Sequence, residues 1–252
     1  VLQSSADPVE NVRVDPMPPI APRENMSVLR NGGDPVRSSD ALAGILLAAS
    51  TRIDEVCCTE VLDYSGCHQP MTLFDLMGFG RALDDVPTVM RPGVLTKAWG
   101  PAIRALASRL DIQIDSLEER LARLPAPEPV DVCSGSIRAG TAAGLYLQLR
   151  GVRGGDSPVI FEHVARLRPD IGPEWPQPGA PGCYQVRVSG EPSYTLDIPF
   201  AGGTRHGAEA LRATAMHLMS AVPAALAAPP GLLTVLALPP SANERVTSPT
   251  VG

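Results

Sequence analysis

Apolar positions recur every three or four residues in some stretches of this chain and every second residue in others. Trp99, Ile103, Leu106 and Leu110 follow the longer spacing, which predicts a helix over Lys97–Leu110 with one buried face. Thr96 is its expected cap, and Pro101 falls in its expected first turn, where proline is tolerated. Leu145, Leu147 and Leu149 instead alternate with Tyr146, Gln148 and Arg150, which predicts a strand with one buried and one solvated face. Strands are expected at Ile53–Tyr64, Val130–Arg138, Ala142–Arg153 and Pro158–Arg168. Arg153-Gly154-Gly155-Asp156 reads as the turn of a hairpin, and Tyr184–Ser189 with Tyr194–Phe200 as a second hairpin around Gly190-Glu191-Pro192. Short helices are expected at Ala41–Ala49, behind the cap Ser38-Ser39-Asp40, and at Met71–Met77. A longer one is expected at Ala208–Leu226, ending or kinking near Pro223. Ile112–Leu124 suits either a strand or a strand that turns into a helix.

The order of these elements predicts an α+β fold with a mostly antiparallel sheet and a closing helix. Residues 1–37, broken by Pro8, Pro16, Pro18, Pro19, Pro22 and Pro35, read as poorly structured. Residues 38–240 read as one domain. Ile171–Pro181, with four prolines, reads as a surface loop, Ala201–His206 as a glycine-rich loop, and the last residues, 241–252, as a flexible tail.

Composition narrows the function. Hydrophobic residues make up 44% of the 252 residues and aromatics only 4%, so the core must be aliphatic. A formal net charge of −6 argues against nucleic acid as a partner, since phosphate binding needs clustered positive charge. No apolar run is long enough for a membrane span, and no basic-then-apolar leader opens the chain. Cys57, Cys58, Cys67, Cys133 and Cys183 are odd in number and match no zinc spacing, which suits free thiols in a reducing cytoplasm.

Chemistry concentrates in Asp63–Gly80. Asp63, Tyr64, Ser65 and His68 fall at a strand end and the loop after it, beside Met71, Phe74 and Met77. Such loops are common substrate sites, and an amine or keto substrate needs one or two polar groups in a shaped apolar pocket. The other reading is a capped strand over a small satellite core. In the strand around His163, Phe161, His163 and Ala165 share one face, and Glu162, Val164 and Arg166 the other. Glu162 and Arg166 suit a structural pair or a pair that orients a charged substrate. Gly78-Phe79-Gly80 is a partial dinucleotide fingerprint, but position 83 is Leu and the segment before it is helical, so it reads as a turn.

Several landmarks recur in a fixed order. They are Glu60-Val-Leu-Asp-Tyr-Ser-Gly, Leu76-Met-Gly-Phe-Gly-Arg, Ser136-Ile-Arg-Ala-Gly-Thr-Ala-Ala-Gly, Glu162-His-Val-Ala-Arg-Leu, Pro173-Glu-Trp-Pro, Gly190-Glu-Pro-Ser-Tyr, Thr214-Ala-Met-His and Ala228-Pro-Pro-Gly-Leu. With them, residues 38–240 resemble the C-terminal domain of the 2,4-diaminopentanoate dehydrogenase-like amine dehydrogenases, relatives of dihydrodipicolinate reductase. The resemblance implies a two-domain NAD(P)-dependent oxidoreductase. One domain of Rossmann type binds the cofactor; the other shapes the substrate pocket and builds the subunit interface. It implies a sheet with helices packed on one face, hydride transfer at the carbon bearing an amine, a small amine or keto substrate, and a homo-oligomer formed through the sheet. Tyr64, Ser65 and His68 would position the polar end of the substrate, and Phe74 and Met77 its apolar end, with Glu162 and Arg166 as further candidates.

The His-His and Lys-containing motif of dihydrodipicolinate reductases does not occur, which speaks against their cyclic substrate. Residues 1–37 are too few for a Rossmann domain. The expectation is a chain without its cofactor half, binding no NAD(P) by itself and inactive alone. The alternative is a non-catalytic homo-oligomeric interaction protein of the same descent.

Overall fold

The computed structural model describes residues 27–30, 43–177, 179–180, 182–200, 206–229 and 231–234. The chain forms β1 (Ser27–Arg30), α1 (Ala43–Leu47) and β2 (Arg52–Asp63), then a π-helical turn (Met71–Leu76) and a 3-10 turn (Thr88–Met90). Next come α2 (Val94–Arg109), β3 (Ser116–Pro125), β4 (Val130–Val132), β5 (Gly135–Ile137), β6 (Ala142–Arg153) and β7 (Asp156–Arg166). β8 (Gly182–Glu191), β9 (Tyr194–Pro199), α3 (His206–Ala227) and β10 (Gly231–Thr234) complete it.

Six strands make one sheet in the order β3-β6-β7-β2-β8-β9. Every neighbouring pair is antiparallel except β2 and β7, which run parallel, so the sheet is mixed. The parallel pair arises because β2 crosses over through α2 and the β3-β6-β7 meander before the chain returns beside it. Strand residues alternate between two faces. Val56, Cys58, Leu145, Leu147, Leu149, Val159, Phe161, Val186 and Val188 fill one face and form the core with Trp99, Ile103 and Leu106 of α2. Ala43 and Leu47 of α1 and Leu73 of the π-helical turn close the same core. An aliphatic core is what the pattern predicts.

Several boundaries differ from the sequence reading. α2 begins at Val94 behind Gly93, not at Lys97, and Thr96 is inside it. Thr96 does not cap the helix; its N–H and Oγ1 both donate to Glu119 of β3, each at 2.8 Å. Pro101 therefore lies beyond the first turn, where it removes the bond to the Lys97 carbonyl. Asp111 adopts φ +55 directly after α2, and Ile112 N donates to Ala107 O at 2.9 Å. That left-handed residue ends the helix and delays the strand to Ser116, which resolves Ile112–Leu124 as coil followed by strand. Val130–Arg138 is two short strands forming their own hairpin, β4-β5, apart from the main sheet. α3 continues through Pro223 to Ala227.

Ser27–Arg30, inside the stretch read as poorly structured, is a strand paired in parallel with Gly231–Thr234. A pairing across most of the chain leaves no local signal in four residues. Ala201–Arg205 and the tail at 241–252 lie outside the described residues.

Candidate active site

β2 and β7 end side by side, and their last residues carry the polar groups of the core face. Register pairs Glu60 with His163, and His163 Nδ1 lies 2.8 Å from Glu60 Oε2. A carboxylate oxygen accepts, so the tautomer that fits this contact carries its hydrogen on Nδ1. The other ring nitrogen, Nε2, lies 3.3 Å from the Tyr64 hydroxyl. Glu60 is 1% exposed and His163 6%, whereas Tyr64 is half-buried. The three groups therefore run in a line from the closed core toward the strand end. Tyr64 also packs against the Phe79 ring at 5.7 Å between centroids.

The strand end is held rigidly. Tyr64 N donates to Arg166 O at 2.8 Å, extending the β2–β7 ladder by one residue. Asp63 Oδ1 accepts from Ser65 N at 2.7 Å and turns the chain away. The β4-β5 hairpin then clasps the loop: Cys133 N donates to Ser65 O at 2.9 Å and Ser134 Oγ to Cys67 O at 2.7 Å.

The apolar wall comes from the segment after this loop. Met77 and Phe79 are buried, Phe74 is half-buried, and Met71 is exposed. Two arginines fix that wall. Arg81 donates from Nε to Phe74 O at 2.8 Å and pairs with Asp75 and Asp85. Arg123 of β3 donates to the carbonyls of Leu83, Asp85 and Gly78, and its burial lowers its pKa from the ordinary arginine value. Neither arginine was singled out from sequence, because main-chain carbonyl acceptors leave no mark on the pattern.

The structure thus brings Tyr64, Ser65, Phe74 and Met77 to one end of the sheet, with His68 exposed on the same loop. It adds Glu60, His163 and Phe79. It sets Glu162 and Arg166 apart, since both point to the opposite sheet face.

Gly78 and Gly80 have φ of +72 and +75, but neither cradles a phosphate. A Cβ on Gly78 would stand 2.5 Å from Pro87 Cβ, and one on Gly80 would stand 3.1 Å from Ile137 Cδ1. Their freedom serves a tight turn packed against those side chains, so this glycine pair does not fit a dinucleotide. No group of three metal-ligating side chains occurs among the described residues.

Comparison with known proteins gives this site a context. The chain is 30% identical over 217 residues to an amine dehydrogenase from Streptomyces virginiae, an alignment covering 84% of this chain and 60% of that protein. The chain is thus similar to an amine dehydrogenase over most of its own length. It spans about 60% of the length of that curated relative. The solved structure of amine dehydrogenase from Mycobacterium smegmatis matches with a TM-score of 0.62 at 17% identity, over 84% of this chain and 59% of that one. At that identity the likeness concerns the fold. No protein-family model matches.

The opposite sheet face holds a second polar cluster. Glu162 Oε1 accepts from the Tyr146 hydroxyl at 2.5 Å and from Gln148 Nε2 at 2.8 Å. Its Oε2 accepts from Thr59 Oγ1 at 2.8 Å and from the Cys57 thiol at 3.3 Å. Burial first, and then the Glu162 charge, push the Tyr146 phenol and the Cys57 thiol well above their ordinary values. Both groups thereby hold their protons and keep donating to Glu162. Arg166, on this face, has its pKa lowered by burial. Both oxygens of the Glu162 carboxylate are thus used by donors of the chain itself. Among the described residues, no helix is long and apolar enough to cross a membrane.

Proposed function

We propose that this chain is the substrate-binding and oligomerisation portion of an NAD(P)-dependent oxidoreductase acting on a small amine or its keto counterpart. The observation that carries this is the Tyr64–His163–Glu60 line at the carboxyl ends of β2 and β7, in a chain 30% identical to an amine dehydrogenase. Tyr64 and Ser65 would hold the polar end of the substrate, with His68 at the loop. Met77, Phe79 and Phe74 would take its apolar end. The ordered landmarks favour the 2,4-diaminopentanoate dehydrogenase-like branch and the C-terminal topology of dihydrodipicolinate reductase. The nicotinamide cofactor would be held outside the described residues, and the chain alone would turn over no substrate.

Titration of the purified chain with NADH and NADPH, followed by nicotinamide fluorescence, tests the division of labour. The signal is expected to stay that of free cofactor up to millimolar concentration. Saturable binding would contradict it, and short-chain amines and ketones would then be screened for turnover.

Assembly through the sheet belongs to the same proposal. The face opposite α2 presents Gln185, Arg187 and Asp197 on β8 and β9, while its apolar group of Val61, Val164 and Trp175 is buried within the chain. A contact with a second copy through the sheet would therefore use the polar strand residues at its edge. A chain that assembles this way but binds no amine would be the non-catalytic interaction protein of the alternative reading.

A further inference from the structure

At neutral pH a simple amine is an ammonium ion. The carbon that bears it releases hydride only after the nitrogen has lost a proton and regained its lone pair. We propose that Tyr64, His163 and Glu60 form a proton relay in which Tyr64 Oη accepts a proton from the substrate ammonium and passes its own to His163 Nε2. This deepens the amine-binding reading above and rests on it.

The geometry supports each part. An isolated phenol is a poor base near neutrality because it already carries its proton. A phenol whose hydroxyl faces an imidazole nitrogen at 3.3 Å can hand that proton on. The receiving nitrogen is Nε2 because Glu60, 2.8 Å from Nδ1, holds the other hydrogen in place. When the relay has fired, imidazolium lies between Tyr64 and the Glu60 carboxylate, so the new charge is formed beside its counter-charge. In atoms, an N–H bond of the ammonium breaks and an O–H bond forms at Tyr64. The former Tyr64 O–H breaks and an N–H forms at Nε2, with no electron changing hands. The reverse sequence returns the proton when a C=N group is reduced.

A purely structural role explains the cluster less well. Glu60 is 1% exposed, yet its Oε1 has no hydrogen-bond partner among the described residues. An orphaned carboxylate oxygen in a largely apolar core is costly, and apolar residues would pack there at lower cost. The titratable groups facing the pair are Tyr64 at the strand end, Tyr184 of β8, opposite Glu60, and the buried Cys58, two residues before Glu60 on the same face. The residue opposite His163 on β6 is the apolar Leu147.

Nitrogen NMR of the full chain labelled with 15N-histidine tests this, using n-butylammonium as the probe. His163 is assigned by its loss in His163→Asn. The free protein is expected to show His163 protonated at Nδ1 only, and saturation with butylammonium is expected to move Nε2 to the protonated position. In Tyr64→Phe, binding weakens by about tenfold and the Nε2 response disappears. In Glu60→Gln, the Nε2–H tautomer appears in the free protein. Saturable butylammonium binding with His163 unchanged, or an equal response in Tyr64→Phe, overturns the relay and leaves the amine-binding reading in place. No butylammonium binding by ligand-observed NMR overturns both. If Glu60→Gln fails to fold by circular dichroism, the wild-type and Tyr64→Phe arms decide alone.

Discussion

Glu162 shows how much one side chain organises. Its two oxygens gather four donors from two strands, Cys57 and Thr59 of β2 and Tyr146 and Gln148 of β6, while it sits on β7 between them. Glu162→Ala strands those donors in the interior and is expected to cost about 3 kcal/mol, read as a lower urea midpoint. A change under about 0.5 kcal/mol would mean that the face is open to water. The same cluster sets the response to alkali. Cys57 and Tyr146 have folded values above their ordinary 9.0 and 10.0. A raised value means their contribution is fully present below about pH 9 and is lost as pH rises beyond it. Stability is expected to fall from about pH 9 upward, and less steeply in Tyr146→Phe. Alkylation of the native chain at pH 8, mapped by mass spectrometry, is expected to modify exposed Cys133 first and to spare Cys57, Cys58 and Cys183 until unfolding. At this scale the sequence placed His163 and Glu162 on opposite faces, because strand alternation alone determines that. It did not reveal that Glu60 stands opposite His163, since that depends on the register between strands about a hundred residues apart.

Elements are tied to one another by groups that local patterns do not display. The start of α2 is served by Glu119 of β3, which accepts from Gly93 N at 3.2 Å and from Thr96 at 2.8 Å. A carboxylate there satisfies N–H groups that the helix cannot pair and lies at the favourable end of its dipole. Glu119→Ala is expected to lower stability by about 1 to 2 kcal/mol, whereas Thr96→Val should cost less because Gly93 N and Thr96 N keep their partner. Equal losses by chemical denaturation would return the capping role to Thr96. The β8-β9 hairpin meets β2 at Gly190, where an added Cβ would fall 2.0 Å from Arg52 O. Gly190→Ala is therefore expected to open the Arg52–Glu191 end of the pairing, visible as faster amide exchange at Thr51 and Ile53. Helix α2 and both hairpins were legible because periodicity and turn chemistry are local. The α2 start was misplaced because its cap comes from another element.

For the whole molecule, one sheet separates two environments. The helix-covered face carries the Tyr64 line, and the other carries the Glu162 cluster and the apolar group around Trp175. Light scattering behind size exclusion is expected to give a dimer or larger assembly, and a monomer at micromolar concentration would contradict assembly through the sheet. The sequence foresaw an α+β chain of aliphatic core, and the resemblance to amine dehydrogenases was read from the order of short landmarks. It did not foresee the parallel β1–β10 pairing, because nothing in four residues at each end points to the other. A shallow cleft lined by Arg104, Ala107, Ile112, Gln113 and Ile114 lies at the far end of β6 from Tyr64 and is a natural control region. The most direct measurement is backbone amide shift mapping of the 15N-labelled chain during titration with a primary alkylamine. Shifts are expected to cluster at Tyr64–His68 and Phe74–Phe79. Shifts centred on the Arg104–Ile114 cleft or around Glu162, or none at saturation, would contradict an amine site at the ends of β2 and β7.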